Sequence, residues 1–227
     1  MGRAEPAPAQ RTRRSGPFSV GATALAVAVG LWLVQHGFGD GTVERPPVPA
    51  AAEAPAHARV PNDATHRVDA APLTTSAPTR IRIPAIGVNA PMSTLGTGPD
   101  RRLATPPVGD KNLVGWYRDG VAPGARGNAI AVGHADTRSG PAVFFKLGLL
   151  RVGDRIEVQR RDRRTAVFTI DAVRSYPKDA FPDDVVYGAT KAAELRVITC
   201  GGRYDKHTGY AANVVVFAHL TGSRRAA

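Results

Sequence analysis

The sequence predicts an all-β domain with short helices, built as a closed barrel or a sandwich, and three observations lead there. Short runs rich in Val, Ile and Thr recur through the second two-thirds of the chain. Gly and Pro punctuate them at loop-like intervals. Little of the sequence repeats at the helical period, the one exception read as helical being Pro141 to Leu147. Many short strands separated by turn residues are the pattern of barrels and sandwiches.

The elements follow in chain order. Residues 1–16 are polar and basic, with Arg3, Arg11, Arg13 and Arg14, and are expected in the cytoplasm. Within 17–38, the stretch Phe18 to Val34 carries no charge over 17 residues (34 − 18 + 1), enough to cross a hydrocarbon core of about 30 Å. The arginines on its N-terminal side predict a single-pass anchor with everything after it exported. A cleaved signal peptide is the competing reading, but small-residue sites such as Ala50-Ala51-Ala52 lie far from the apolar stretch. Residues 39–78 are rich in Pro and Ala with few large apolar side chains, so a disordered, extended linker is expected.

From residue 79 to 222 a folded domain is predicted. IRIPAIGV (81–88), NAIAV (128–132), DRIEVQ (154–159), AVFTIDAV (166–173), LRVIT (195–199) and NVVVFA (213–218) read as strands, the last nearly all apolar and so central. The basic run Arg160-Arg161-Asp162-Arg163-Arg164 falls between two of them, as a solvated hairpin turn would. The chain carries a net charge of +11, which suits an anionic envelope polymer or lipid, but no nucleic-acid motif accompanies it and nucleic acid is not expected as a partner.

Cys200 is the only cysteine, so no intramolecular disulfide can form. It follows a predicted strand and precedes Gly201-Gly202, where two residues lacking Cβ permit close backbone approach. An attack site and a quiet buried thiol are both open at this level. A thiol is mostly protonated at neutral pH and needs a base or cation beside it. His134, just past NAIAV and Gly133, is the best-placed histidine for general acid and base work. His36, His57 and His66 lie in the span or linker, His207 in a polar loop and His219 near the C-terminus. One Cys with dispersed His offers no zinc spacing, and there is no Walker-type glycine loop.

Val197-Ile198-Thr199-Cys200 resembles the sortase signature, and Val132-Gly133-His134 resembles that family's histidine segment. Gly115-Trp116-Tyr117, His134-Ala135-Asp136 leading to Gly140-Pro141-Ala142-Val143-Phe144-Phe145, Pro177-Lys178 with Phe181-Pro182, and Cys200-Gly201-Gly202 leading to Asn213-Val214-Val215-Val216 look most like actinobacterial class F sortases. The resemblance spans Thr79 to Leu220. It implies a closed eight-stranded barrel and a cysteine transpeptidase that needs no metal or cofactor. In that role Cys200 is the nucleophile, and His134 the general acid and base. The partners implied are proteins bearing an LPxTG-like sorting signal, cut after Thr through a thioacyl enzyme, and an amine acceptor on a cell-wall precursor or other envelope component.

The family also uses an arginine on the strand after the cysteine. Here the aligned position is Asn213, and no arginine stands between Tyr210 and Leu220. Arg203 is the guanidinium nearest Cys200 in sequence and the candidate substitute, with the Asn213 amide as a second donor. Thr199 either hydrogen-bonds substrate or pins the strand end. Two other functions compete. An L,D-transpeptidase would place Ser-His-Gly before its cysteine, where this chain has Val-Ile-Thr. A catalytically degenerate barrel binding an anionic cell-wall polymer would make Cys200 dispensable.

Overall fold

Alternation of apolar and polar side chains makes these segments strands, because successive side chains point to opposite faces. A computed structural model of the protein describes residues 45–49, 68–98 and 103–225. The strands are β1 (Pro78–Ile83), β2 (Val88–Leu95), β3 (Val114–Tyr117), β4 (Gly127–Gly133), the two-residue β5 (Asp136–Thr137) and β6 (Gly140–Pro141), β7 (Arg155–Arg160), β8 (Arg164–Pro177), β9 (Ala193–Asp205) and β10 (Gly209–Arg225). Eight of them close into a barrel in the order β1-β2-β3-β4-β9-β10-β8-β7, with β7 pairing back to β1. The β2–β3 and β4–β9 pairs are parallel and the other barrel pairs antiparallel. The all-β prediction holds, and closure settles it as a barrel.

Two apolar clusters follow from the period of two. Leu195, Val197, Val214, Val216 and Ala218 point inward with Ile81, Ile156, Phe168 and Ile170. Ile130, Ile198, Val215 and Phe217 point outward and are covered by Tyr176 and Val186, with Phe181 packed against them. The chain covering this outer face is the β8–β9 connection, which contains the one described α-helix, α1 (Asp183–Tyr187). Asn128 ties α1 down: its Nδ2 donates to the carbonyls of Val186 (2.7 Å) and Gly188 (3.2 Å).

Three sequence expectations are corrected. Pro141 to Leu147 is not helical; it holds β6, turns and the start of a 3₁₀ turn at Leu147–Leu149, whose Leu147 fills the barrel core along with Phe144 and Leu150. Thr199 does not end its strand, because β9 runs on through Cys200 to Asp205. Residues 68–77, expected as free linker, lie along the barrel. Ala70 N donates to Leu220 O (2.9 Å) and Leu73 N to Gly124 O (2.7 Å). The buried Arg160 guanidinium donates to Pro123 O (2.6 Å), to Thr74 O and to Asp162 Oδ2 (2.8 Å). That pairing holds the Asp162 carboxyl below the usual carboxylate range, despite some desolvation. The basic run does form the β7–β8 turn, but only Arg161–Arg164 are solvated, since Arg160 is buried at the end of β7. The expected membrane span at 17–38 lies outside the described residues, among which no helix is long and apolar enough to cross a membrane.

Candidate active site

The parallel β4–β9 ladder sets the site. Val132 stands opposite Ile198, an offset of 66 (198 − 132). His134 and Cys200 have the same offset (200 − 134), so the register that pairs the strands carries the histidine toward the cysteine two residues past the last paired ones. Thr199 locks that register: its buried hydroxyl donates to Gly133 O at 2.8 Å. The strand end is packed tightly, since a Cβ on Gly133 would lie 2.5 Å from the Phe144 ring. Phe144 N in turn donates to His134 O (3.0 Å).

The imidazole is fixed as well as the backbone. His134 Nε2 lies 2.7 Å from Pro106 O, which can only accept, so Nε2 carries a proton. In the neutral ring Nδ1 is then the free nitrogen, available to take or return a proton. Cys200 is half-buried and its thiol is free. It shares the outward face of β9 with Ile198 by the period of two.

Immediately after the cysteine the ladder breaks. Gly201 pairs with Ala212, but the next pair is Tyr204 with Tyr210, so β9 carries one extra residue. Gly202 has φ +78°, the left-handed conformation that glycine adopts without a Cβ penalty. The bulge turns Arg203 into the exposed end of the β9–β10 hairpin, where its charge helps hold the Asp205 carboxyl low behind stronger hydrogen bonds from the His207 and Thr208 amides. Asn213 pairs directly with Cys200, on the same face. Of the two candidate donors, the fold therefore brings Asn213 to the cysteine and places Arg203 in the hairpin.

A groove of ≈ 1020 Å³ runs along the outer face of the barrel and reaches Asn213. Leu103, Tyr117, Ile130, Phe181 and Tyr187 give it apolar walls. Asn128, Lys178, Asp179 and Asp183 add polar and charged groups to its lining.

Sequence reasoning missed one pair beside the site. The Tyr210 hydroxyl donates to Asp136 Oδ2, joining the loop after His134 to the β9–β10 hairpin. Burial, then the bond to Asp136 and that carboxylate's charge, push the phenol pKa well above its usual value. Asp136 was visible two residues after His134; Tyr210 carries no signal until the hairpin register is known.

A sortase domain model matches residues 81–221, which is 141 of 227 residues (221 − 81 + 1). The chain belongs to the sortase family. These are cysteine transpeptidases, and the closed barrel matches the sortase fold. Among solved structures, sortase A of Listeria monocytogenes is 20% identical with a TM-score of 0.50, covering 67% of this chain and 92% of that one. The Actinomyces oris sortase is 23% identical at a TM-score of 0.50, covering 72% and 89%. A lid mutant of Corynebacterium diphtheriae sortase A is 16% identical at 0.50, covering 66% and 73%. At these identities the likeness is one of fold. No curated protein sequence matches this sortase at a significant level.

Proposed function

We propose that this sortase cleaves an LPxTG-like sorting signal after its Thr and transfers the new carboxyl end to an envelope amine. The observation that supports the reading is the strand register shared by half-exposed Cys200 and His134, together with a groove that reaches the cysteine's ladder partner Asn213. The peptide lies in the groove and presents its scissile carbonyl to Sγ. Attack forms the S–C bond and breaks the C–N bond. The proton leaves on the departing amine by way of His134. An acceptor amine then attacks the thioester, forming a C–N bond and releasing the thiolate, with His134 taking the amine proton. The Asn213 amide supplies a hydrogen bond to the carbonyl oxygen as it gains charge.

The class F motifs, from Gly115-Trp116-Tyr117 to Cys200-Gly201-Gly202, favour that subtype. The uncharged stretch from Phe18 to Val34 after four arginines favours a membrane-anchored protein with its barrel outside the cell, where sorting signals and precursor amines meet.

Intact-protein mass spectrometry with a small library of LPxTG-like peptides tests the chemistry. A thioacyl adduct on the wild type that is absent from Cys200→Ala supports it. A folded protein that forms no adduct with any peptide removes the transpeptidase reading in favour of the polymer-binding barrel.

A further inference from the structure

Among the described residues, seven large apolar side chains are exposed, and three of them belong to one place. Leu149 is 53% exposed and Val152 72%. Leu149 precedes, and Val152 sits in, a tight turn in which Arg151 N donates to Asp154 Oδ2 (2.8 Å) and Asp154 N to Arg151 O (3.1 Å). Val48, 54% exposed, reaches the same place from the N-terminal side. It does so because residues 45–49 seat on Gly148: a Cβ there would lie 2.1 Å from Pro47 O and 3.2 Å from Pro49 N. Pro46 and Pro49 are buried in this contact and Val48 is turned out.

Four cations lie within three residues of these side chains in sequence. Arg45, Lys146, Arg151 and Arg155 are all exposed. None of them forms an ion pair among the described residues. Asp154 is the one acid between 146 and 155, and its carboxylate is held by the turn. An apolar tip within a basic collar is the arrangement that enters the headgroup region of a negatively charged bilayer. Connectivity points the same way. Ten residues, 35–44, separate the end of the uncharged stretch from Arg45, a covalent reach of at most about 35 Å.

We propose that the Val48–Leu149–Val152 tip and its basic collar dock the barrel onto an anionic lipid surface. The inference rests on the membrane-anchored part of the proposed function. It has a consequence for the site. The tip belongs to the segment that follows His134, whose Phe144 bonds to His134 O and whose Leu147 and Leu150 pack in the barrel core. Docking there would hold the catalytic end at a fixed attitude to the bilayer and favour substrates presented from the membrane.

The test is amide hydrogen exchange of the full chain in lipid nanodiscs made of phosphatidylglycerol, of phosphatidylcholine, or replaced by detergent. Segment 146–155 and the Val48 amide should exchange about tenfold more slowly in the anionic discs than in the other two. Leu149→Ser/Val152→Ser and Arg151→Gln/Arg155→Gln should each lose that protection while β8 and β10 keep theirs, which separates lost docking from lost folding. Equal exchange in all three settings would overturn the proposal. So would protection that persists in detergent and rises with protein concentration, which would mark an interface between copies. Peptide acylation of Cys200, followed in the same discs, reports on the sortase chemistry separately from lipid contact.

Discussion

Asn213 stands directly opposite Cys200 in the β9–β10 ladder, where the family's arginine was expected. An amide offers two donors and no charge, so the growing negative charge on a substrate carbonyl meets a weaker partner than a guanidinium. Asn213→Ala should slow thioacyl formation by about 10². Arg203→Ala, on the exposed hairpin, should change it by no more than about twofold. Rates of adduct formation measured by quenched-flow mass spectrometry decide between the two residues. A large loss in Arg203→Ala with a small one in Asn213→Ala would reverse the assignment.

The Thr199 hydroxyl holds the carbonyl of Gly133, the residue before His134. Thr199→Val keeps the shape and orphans a buried carbonyl, at a cost of about 1–3 kcal/mol. The melting temperature should fall by roughly 2–10 °C. Acylation should slow as the strand end loosens, and Thr199→Ser should restore both. A Thr199→Val protein with native melting and native rate would mean the hydroxyl plays no part in holding the site.

Tyr210 and Asp136 clamp the β9–β10 hairpin to the loop after His134. The fold raises the phenol pKa, by burial first and then by the Asp136 bond. A raised pKa means the native state holds the proton more tightly than the unfolded chain. The stabilisation is therefore complete below the unfolded value of about 10 and declines as pH rises above it. Wild type minus Tyr210→Phe should give a stability difference that is flat from pH 6 to about 9 and shrinks at higher pH, read from urea midpoints. A difference that grows with alkali would refute the clamp.

The Arg160 guanidinium fastens the segment before β1 to the β7–β8 turn. Arg160→Met strands two carbonyls and should destabilise by about 3 kcal/mol. Its partner Asp162 has a lowered pKa, so that pair stabilises above the unfolded carboxyl value of about 4 and is lost on acidification through the lower native one. Asp162→Asn should flatten the acid limb of the stability curve without changing peptide cleavage. Thermal unfolding monitored from pH 2 to 7 would show it.

Much of this was legible because two signals agree along the chain. Period-two patterning gave the strands, and the Gly201-Gly202 pair marked the place where backbone packs closely beside Cys200. The outer wall of the groove was not legible. Asp183–Tyr187 is a helix of five residues, too short to show a helical period, and it is held by Asn128 from a strand far away in sequence. The extension of β9 through Cys200 was hidden because the bulge at Gly202 interrupts the alternation. Tyr210 and the seat of residues 45–49 on Gly148 depend on tertiary approach, which no local pattern reports.

The parallel pairing of β4 with β9 also bears on when the enzyme becomes active. His134 and Cys200 cannot meet until the whole intervening chain, including β7 and β8, has been made and folded back. Closing so long a loop before any contact rewards it is entropically expensive, so the ladder should form late. Until it does, Cys200 is an ordinary thiol with no imidazole at hand. The topology thus acts as a timer, keeping a newly made chain chemically silent while it is still incomplete.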